Sequence, residues 1–263
     1  MRLGLLAALA ALVCSCSPAS ARMETGFLDR TVSVAGKDYR YQVYVPANFA
    51  SQKLWPAILF LHGSGERGSD GLLPTAEGLG NAIRRNSSRF PFVVVFPQCT
   101  ENHTWGEPEM RARALAALDH SMKEFHGDSR RVYLTGLSMG GYGTWDFAMA
   151  EPGRFAALVP ICSGLRPAPD WSELRVHLPA EAKDADPYAE VARRIGKTPV
   201  WMFHGDADDA VPVEESRQMA AALKAAGADF KYTEYPGVGH NSWDRAYAEL
   251  DLVLWLLSKS LNH

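Results

Sequence analysis

The chain has little of several features that mark whole classes of protein. Its 263 residues carry a formal net charge of −3, and no long run of basic residues interrupts that near balance. A chain without a basic stripe gives no electrostatic reason to expect a nucleic-acid partner. No uninterrupted apolar stretch reaches the roughly 18 residues that a membrane span needs, so we expect no transmembrane segment.

Motifs for cofactors and metals are also missing. The sequence contains neither H-E-x-x-H nor G-x-x-x-x-G-K-[ST], and it has no close cluster of histidines and cysteines that would ligate a metal ion. We therefore expect no metal, no nucleotide and no other cofactor. An activity of this chain would have to come from its own side chains.

The first 21 residues differ from the rest. Arg2 precedes an apolar run from Leu3 to Val13, which is too short to span a bilayer. Ala19-Ser20-Ala21 then matches the A-x-A pattern of a cleavage site. The sequence therefore predicts a signal peptide over residues 1–21 and a secreted or periplasmic protein, with one domain over residues 22–263.

Cysteine is scarce, with four in the chain. Cys14 and Cys16 lie near the start, where residues 13–16 loosely resemble a bacterial lipobox; in that alternative Cys16 carries a lipid anchor. Cys99 and Cys162 remain in the body, and two thiols in an oxidising compartment could pair. Because each follows a different strand and those strands are not expected to be neighbours, we favour unpaired cysteines over a disulfide.

The body of the chain alternates strand-like and helix-like segments. Thr31–Val34 and Tyr39–Val45 place apolar residues at every second position around a turn, which predicts an antiparallel hairpin. Short apolar runs then predict buried strands at Ala57–Leu61, Phe92–Phe96, Val132–Gly136, Ala156–Ile161, Val200–Phe203 and Phe230–Tyr235. Predicted helices cover Ala76–Arg85, Glu107–Phe125, Met139–Met149, Val213–Ala226 and Ser242–Leu261. This alternation predicts an α/β fold with a mostly parallel sheet of about eight strands and helices on both faces.

In such sheets ligands bind beyond the carboxyl ends of the strands. The stretch from Ser163 to Thr198 leaves from one of these ends and is irregular, with four prolines and a charged run from Glu181 to Asp186. We expect it to form a partial cover over the site, although a solvated loop would have the same composition.

Residues 136–140 spell G-x-S-x-G between a predicted strand and a predicted helix. In that context the serine lies on a sharp turn that lifts its hydroxyl above the sheet. A serine hydroxyl is a poor nucleophile until a base removes its proton, so a serine at this turn needs a base and an acid that orients the base. The motif predicts Ser138 as a nucleophile.

Two later segments supply an acid and a base. Residues 204–212, HGDADDAVP, follow one predicted strand and contain Asp206, Asp208 and Asp209, while His240 follows the next strand. The chain order serine, acid, histidine is that of the triad built on a G-x-S-x-G turn, which predicts Ser138, Asp208 and His240 as the catalytic set. Asp206 and Asp209 remain alternatives for the acid. His62 and His204 remain alternatives for the base, although both are typical of structural histidines at strand ends.

An oxyanion hole needs two backbone N–H donors. One is expected from Met139, the residue after the nucleophile, and the other from the loop after the strand Ala57–Leu61. That loop reads His62-Gly63-Ser64-Gly65-Glu66-Arg67-Gly68, whose glycines let the backbone approach a ligand. We predict Ser64 as the second donor, with Gly65 as the next choice. A flexible glycine-rich turn is the simpler reading of the same residues.

These segments together resemble the secreted α/β-hydrolases of the phospholipase/carboxylesterase-like and feruloyl esterase-like group, often labelled predicted peptidases. The resemblance lies in FLHGSGERG (60–68), VVVFPQC (93–99), GLSMGGYGTW (136–145), HGDADDAVP (204–212) and YPGVGHNSW (235–243). It implies the α/β-hydrolase fold and, through the pattern H-G-x-x-D-x-x-V-P, places the acid at Asp208. The stretch from Ser163 to Thr198 looks longer than the resemblance would suggest, which leaves the substrate open.

The sequence thus predicts a serine esterase that acts on a small-molecule ester, with Trp105 and Trp243 as residues that line the substrate site. Tryptophans are more often core or boundary residues, so a structural role is the alternative for both. Two alternatives stay open. One is a peptidase of the prolyl oligopeptidase type, which has the same triad order. The other is a catalytically silent hydrolase fold used for binding.

Overall fold

The computed structural model describes residues 24–261. The predicted signal peptide over residues 1–21 and the alternative lipid anchor at Cys16 lie outside the described residues. Within residues 24–261, no helix combines the length and the apolar character needed to cross a membrane.

An eight-stranded sheet forms the centre of the described chain. Its strands are β1 (Gly26–Val34), β2 (Lys37–Val45), β3 (Trp55–Leu61), β4 (Val93–Phe96), β5 (Gly127–Leu137), β6 (Ala157–Ile161), β7 (Val200–Gly205) and β8 (Phe230–Tyr235). Across the sheet they follow the order β1-β2-β4-β3-β5-β6-β7-β8. The pairs β1–β2 and β2–β4 are antiparallel and the other pairs are parallel. This confirms the predicted sheet and its N-terminal hairpin.

Seven α-helices pack around the sheet in the described residues. They are α1 (Leu79–Arg85), α2 (Pro108–Glu124), α3 (Met139–Ala150), α4 (Pro187–Ile195), α5 (Val213–Ala225), α6 (Trp243–Ala248) and α7 (Leu252–Leu257). The bounds of α2, α3 and α5 agree with the sequence prediction to within one residue at each end, because each has a clear apolar stripe or clear boundary residues.

Alternate strand residues point to opposite faces of the sheet, as the pleat requires. On one face, Leu59 and Leu134 join an apolar cluster with residues of α2, α3, α4 and α5. On the other face, Phe60 and Tyr133 join a second cluster with residues of α1, α6 and α7. The two clusters make three layers, with the sheet buried between helices.

Three predicted elements differ most from the structure, and one of them is β5, which begins at Gly127 rather than Val132. Strand β1 begins at Gly26 rather than Thr31, because Phe27 packs in one apolar cluster and Leu28 in the other, so the segment shows no alternation. The single helix predicted over residues 242–261 is divided into α6 and α7. The backbone leaves the helix at Glu249, and no glycine or proline marks the break.

The predicted irregular stretch, Ser163–Thr198, contains helix α4, which the sequence analysis missed. The signals were present: Pro187 occupies the first helical turn, and the Asp186 carboxylate accepts the backbone N–H groups of Tyr188 and Ala189. A side-chain cap of this kind followed by proline is a typical helix start. The high proline and charge content of the stretch had indicated a loop.

Two carboxylates anchor the rest of this stretch to the body of the fold. Glu215 on α5 accepts the backbone N–H groups of Leu165 and Arg166, at 2.7 and 3.0 Å. Asp146 on α3 is buried and accepts the His177 backbone N–H at 2.7 Å, and its second oxygen lies 3.2 Å from His177 Nδ1. The stretch is therefore fixed to two helices that begin beside the carboxyl ends of the strands.

The pair Asp146–His177 makes part of the stability depend on pH. The hydrogen bond to Asp146 raises the pKa of His177 above its ordinary value, against the effect of burial. A histidine with a raised folded-state pKa stabilises fully below its unfolded value of about 6.5, and this contribution is lost as pH rises through the folded value.

We expect His177→Gln to lower the free energy of unfolding more at pH 5.5 than at pH 8.5. The difference should not exceed about 1 kcal/mol, because the His177 side chain is 40% exposed. Urea unfolding of both proteins at the two pH values measures it, with Asp146→Asn as the background in which the pH effect should vanish. An equal loss at both pH values would contradict this reading.

Candidate active site

Ser138 lies on the turn between β5 and α3 in a backbone conformation that is rare for a residue with a side chain. Its φ and ψ are 51° and −118°, and its N–H donates to the Ile161 carbonyl at 3.0 Å. Such geometry is strained and persists only where the surroundings enforce it. The hydroxyl is held at the carboxyl edge of the sheet, and the residue is only 7% exposed.

The glycines on either side of Ser138 are required by close packing. A Cβ on Gly136 would overlap the Gly140 carbonyl, and a Cβ on Gly140 would overlap the Leu61 carbonyl oxygen at the end of β3. Both clashes involve backbone atoms, which cannot move aside as a flexible side chain can. The motif therefore keeps the nucleophile turn in contact with the strand that carries the next loop.

His240 connects Ser138 to Asp208. Its Nε2 lies 2.9 Å from Ser138 Oγ, and its Nδ1 lies 3.0 and 2.8 Å from the two carboxylate oxygens of Asp208. In the arrangement where Ser138 donates its proton to Nε2, Nδ1 carries a proton and donates it to the carboxylate. The structure thus brings the three residues together, although they come from loops after β5, β7 and β8.

The carboxylate of Asp208 is fully buried and accepts several hydrogen bonds. Its Oδ1 accepts the backbone N–H groups of Ala210 and Val211, both at 2.9 Å, and its Oδ2 faces His240 and His204. Burial alone would raise the pKa of Asp208, but the hydrogen bonds of His204, His240 and Val211 hold it well below its usual range. The carboxyl group is therefore ionised at neutral pH.

The alternatives from the sequence lie elsewhere. Asp206 and Asp209 are exposed, and Asp206 accepts the Gly237 backbone N–H at 2.6 Å. His62 is buried, with Nδ1 2.6 Å from the Gly63 carbonyl oxygen and Nε2 accepting the Cys99 N–H at 3.0 Å. Burial lowers its pKa to about 4. None of these three has a hydrogen bond to Ser138 in the described structure.

The loop after β3 presents its backbone beside the nucleophile turn. Gly63 is extended, with φ −76° and ψ −178°, and Ser64 begins a short 3-10 turn. Within residues 24–261, the N–H groups of Ser64 and Met139 donate to no protein acceptor. Gly63 also approaches the Leu137 side chain, which directly precedes Ser138. Both N–H groups are therefore free to bind an oxyanion.

The two tryptophans differ. Trp105 is 1% exposed and its indole N–H donates to the His62 carbonyl at 2.9 Å, so it supports the loop after β3. The expectation that Trp105 lines the substrate site was wrong, because the protein covers its side chain and leaves no surface for a substrate. Trp243 is half-buried, and its ring meets the His240 ring edge-on at 5.5 Å between centroids. It lies directly beside the histidine.

Cys162 was not singled out for this site, and no pattern in the sequence indicates its position there. It follows β6 with a φ of 40°, and its sulfur lies within 4.8 Å of the Asp208 and His240 ligand atoms. Three such atoms could in principle hold a metal ion. The donor set fits poorly, because Asp208 and His240 bind each other, and burial and then the charge of Asp208 raise the pKa of the Cys162 thiol.

Cys99 and Cys162 are both buried and unpaired. They follow β4 and β6, which are separated in the sheet by β3 and β5. The favoured expectation of two free thiols therefore holds for the described structure.

Comparisons with known proteins agree with this geometry. The chain is 31% identical to a thermostable esterase of known structure, with a TM-score of 0.72 over 89% of this chain and 63% of the other. It is 32% identical over 133 residues to a bifunctional acetylxylan esterase/xylanase of Neocallimastix patriciarum, and 27% identical over 201 residues to an uncharacterized secreted protein of Arthroderma benhamiae. These alignments cover 49% and 70% of this chain but only 18% and 21% of the two relatives.

A family model also matches the chain. Residues 102–261, more than half of the chain, match the prolyl oligopeptidase family, and this range contains Ser138, Asp208 and His240. With the fold, this match confirms the group of hydrolases that the sequence motifs indicated. The protein is a serine hydrolase with the α/β-hydrolase fold, and it belongs to the prolyl oligopeptidase family.

Proposed function

We propose that the protein is a serine carboxylesterase that hydrolyses short-chain or aryl esters, feruloyl esters included, through an acyl-enzyme on Ser138. The observation that carries the proposal is the chain of contacts from Ser138 Oγ through His240 to the buried carboxylate of Asp208. Such an arrangement has a chemical use only where a serine must lose its proton. A silent binding fold would have no need of it.

Acylation follows from this geometry. Ser138 Oγ attacks the ester carbonyl carbon while its proton moves to His240 Nε2, and Asp208 stabilises the imidazolium that forms. The carbonyl oxygen becomes an oxyanion, which the N–H groups of Met139 and Ser64 bind. The C–O bond of the ester then breaks, and the leaving alcohol takes the proton from Nε2.

Deacylation reverses the roles. A water molecule gives its proton to His240 Nε2 and attacks the carbonyl carbon of the acyl-enzyme. The bond to Ser138 Oγ breaks, the serine regains a proton from Nε2, and the carboxylic acid leaves. Trp243, which lies against the His240 ring, is the residue we propose as a substrate contact, since a half-buried aromatic ring offers apolar surface to an acyl or aryl group.

Two considerations support an ester over a peptide. The similar proteins named above include a thermostable esterase and an acetylxylan esterase. An alkoxide or phenoxide also leaves more easily than an amine, so an ester needs less help from the general acid. The family name keeps peptide hydrolysis as the competing activity, and the first experiment must therefore include both substrates.

We expect Ser138→Ala to lower kcat for p-nitrophenyl acetate, p-nitrophenyl butyrate and methyl ferulate by a factor on the order of 10⁴ or more. Peptide amides assayed beside them should be cleaved far more slowly by the wild type. Ser163→Ala is the matched control, because Ser163 is buried after β6 and lies against Gly141 without taking part in the triad. Unchanged ester hydrolysis in the folded Ser138→Ala protein would refute the proposal.

The proposed second oxyanion donor is a backbone N–H, so a proline is the sharpest test. Gly63 is already extended, as a residue before proline must be, and Ser64 begins a turn in which proline fits. We expect Ser64→Pro to lower kcat by about 10² to 10³ with a smaller change in KM. Ser64→Ala keeps the N–H and should remain near the wild type. A folded Ser64→Pro protein with wild-type kcat would exclude the Ser64 N–H as the second donor, and Gly65 would then be the next candidate.

We further propose that the enzyme acts outside the cytoplasm, secreted or periplasmic. Support comes from the pattern over residues 1–21 and from the relative described as a secreted protein. Export of the full chain from a bacterial host, followed by N-terminal sequencing, should find a mature protein that begins at Arg22. A blocked N-terminus at Cys16 would favour the lipid anchor, and an unprocessed Met1 would contradict the proposal.

A further inference from the structure

His204 lies behind the acid of the triad. It is the penultimate residue of β7, it is fully buried, and its Nε2 lies 3.1 Å from Asp208 Oδ2. His240 approaches the same oxygen at 2.8 Å. The carboxylate is therefore held between two histidines, only one of which touches the serine.

The hydrogen bonds around His204 fix its tautomer. The Nε2–H of His204 donates to the Val211 carbonyl at 3.0 Å, and Nε2 also lies 3.1 Å from Asp208 Oδ2, so this nitrogen carries a proton that both oxygens face. Nδ1 lies 2.7 Å from the Ser216 hydroxyl on α5. In the neutral ring, Ser216 donates to Nδ1, which leaves the proton on Nε2. The ring is held at both nitrogens.

This contact completes the set of donors around Asp208. The backbone N–H groups of Ala210 and Val211 bind Oδ1, His240 Nδ1 lies 3.0 and 2.8 Å from Oδ1 and Oδ2, and His204 faces Oδ2. The two backbone donors alone would not fix the rotation of the carboxylate plane. His204 adds a second histidine contact at Oδ2, which helps to hold the plane in the orientation that His240 needs.

We propose that His204 is a positioning residue that acts through Asp208, and that Ser216 keeps it in the tautomer whose Nε2–H faces Asp208 and the Val211 carbonyl. The proposal rests on the roles given above to Ser138, Asp208 and His240. It extends the chain of polar contacts to five side chains, in the order Ser216, His204, Asp208, His240 and Ser138.

Other titratable groups lie around Asp208 and His204. Cys162 after β6 and Tyr142 on α3 lie near Asp208, and burial raises the pKa of both, so both are uncharged at neutral pH. Glu234 on β8 lies near His204, and its pKa is lowered chiefly by Arg217. These groups keep one charge state through the range of an esterase assay, so they are unchanged between the variants.

The first comparison is His204→Gln against His204→Leu. The glutamine amide can place an N–H donor near the position of Nε2, whereas leucine fills similar volume and donates nothing. We expect the leucine variant to lose about ten- to a hundredfold in kcat with little change in KM, the size expected for a lost hydrogen bond to a charged group. The glutamine variant should retain most of the activity.

The pH profile separates positioning from a merely structural role. In His204→Leu the carboxylate loses a donor and its charge concentrates towards His240, so the protonated imidazole is favoured. The acid limb of the kcat/KM profile should move to higher pH, by roughly half a unit. It should stay in place in His204→Gln. Equal losses in both variants without a movement of the limb would overturn the proposal.

Ser216→Ala tests the tautomer without altering the ring. Losing the hydroxyl allows the proton to move to Nδ1, so kcat should fall several-fold. The matched control is Ser121→Ala on α2, since Ser121 is a buried helical serine whose hydroxyl contacts Tyr41, away from the triad. If the two variants lose similar amounts of Tm, kcat should fall in Ser216→Ala and should stay at the wild-type value in Ser121→Ala. An equal effect of the two variants on kcat would count against the proposal.

A fluorophosphonate probe keeps this inference separate from the proposed function. Wild type that fails to label at Ser138 would refute the triad itself. Wild type that labels, with His204→Leu and Ser216→Ala labelling at the same rate, would refute only the role of His204. The expected result is slower labelling of both variants and normal labelling of Ser121→Ala.

Discussion

The strained turn at Ser138 is the constraint on which the rest of the site depends. A residue with a side chain at a φ of 51° is costly, and the cost is met by packing and by the hydrogen bond from Ser138 N–H to Ile161. Gly136 and Gly140 let this turn press against the end of β3. The same contact that raises the hydroxyl above the sheet therefore sets its distance from the loop that carries Ser64.

Parallel strand order explains how distant residues meet. Strands β5, β7 and β8 run in the same direction, so the loops that follow them emerge at one edge of the sheet. Asp208 and His240 reach Ser138 from the second and third of these loops. Behind them, His204 near the end of β7 contacts the acid, and Ser216 on α5 binds His204. The site therefore forms where the loops after parallel strands meet at one edge of the sheet, and its polar contacts continue from there into the interior.

Much of this arrangement could be predicted from the sequence, because local pattern and chain order carry it. The strands buried on both faces, the G-x-S-x-G turn and the order of Ser138, Asp208 and His240 are all local signals. The contacts between distant residues are not. Nothing in the sequence places Cys162 beside Asp208, or shows that the side chain of Trp105 is covered by protein. The break at Glu249 also carries no local signal, because no glycine or proline marks it; the Glu249 carbonyl instead accepts a hydrogen bond from the distant Arg89.

The most direct test of the account is the site of the covalent intermediate. Brief mixing of the wild type with a slow aryl ester, followed by acid quench, digestion and mass spectrometry, locates the acyl group. The account predicts one added acyl group on the peptide that contains residues 136–140, at Ser138, and its loss on longer incubation. Ester hydrolysis with the acyl group on another residue, or turnover in which no acylated species forms while the protein is folded, would contradict it.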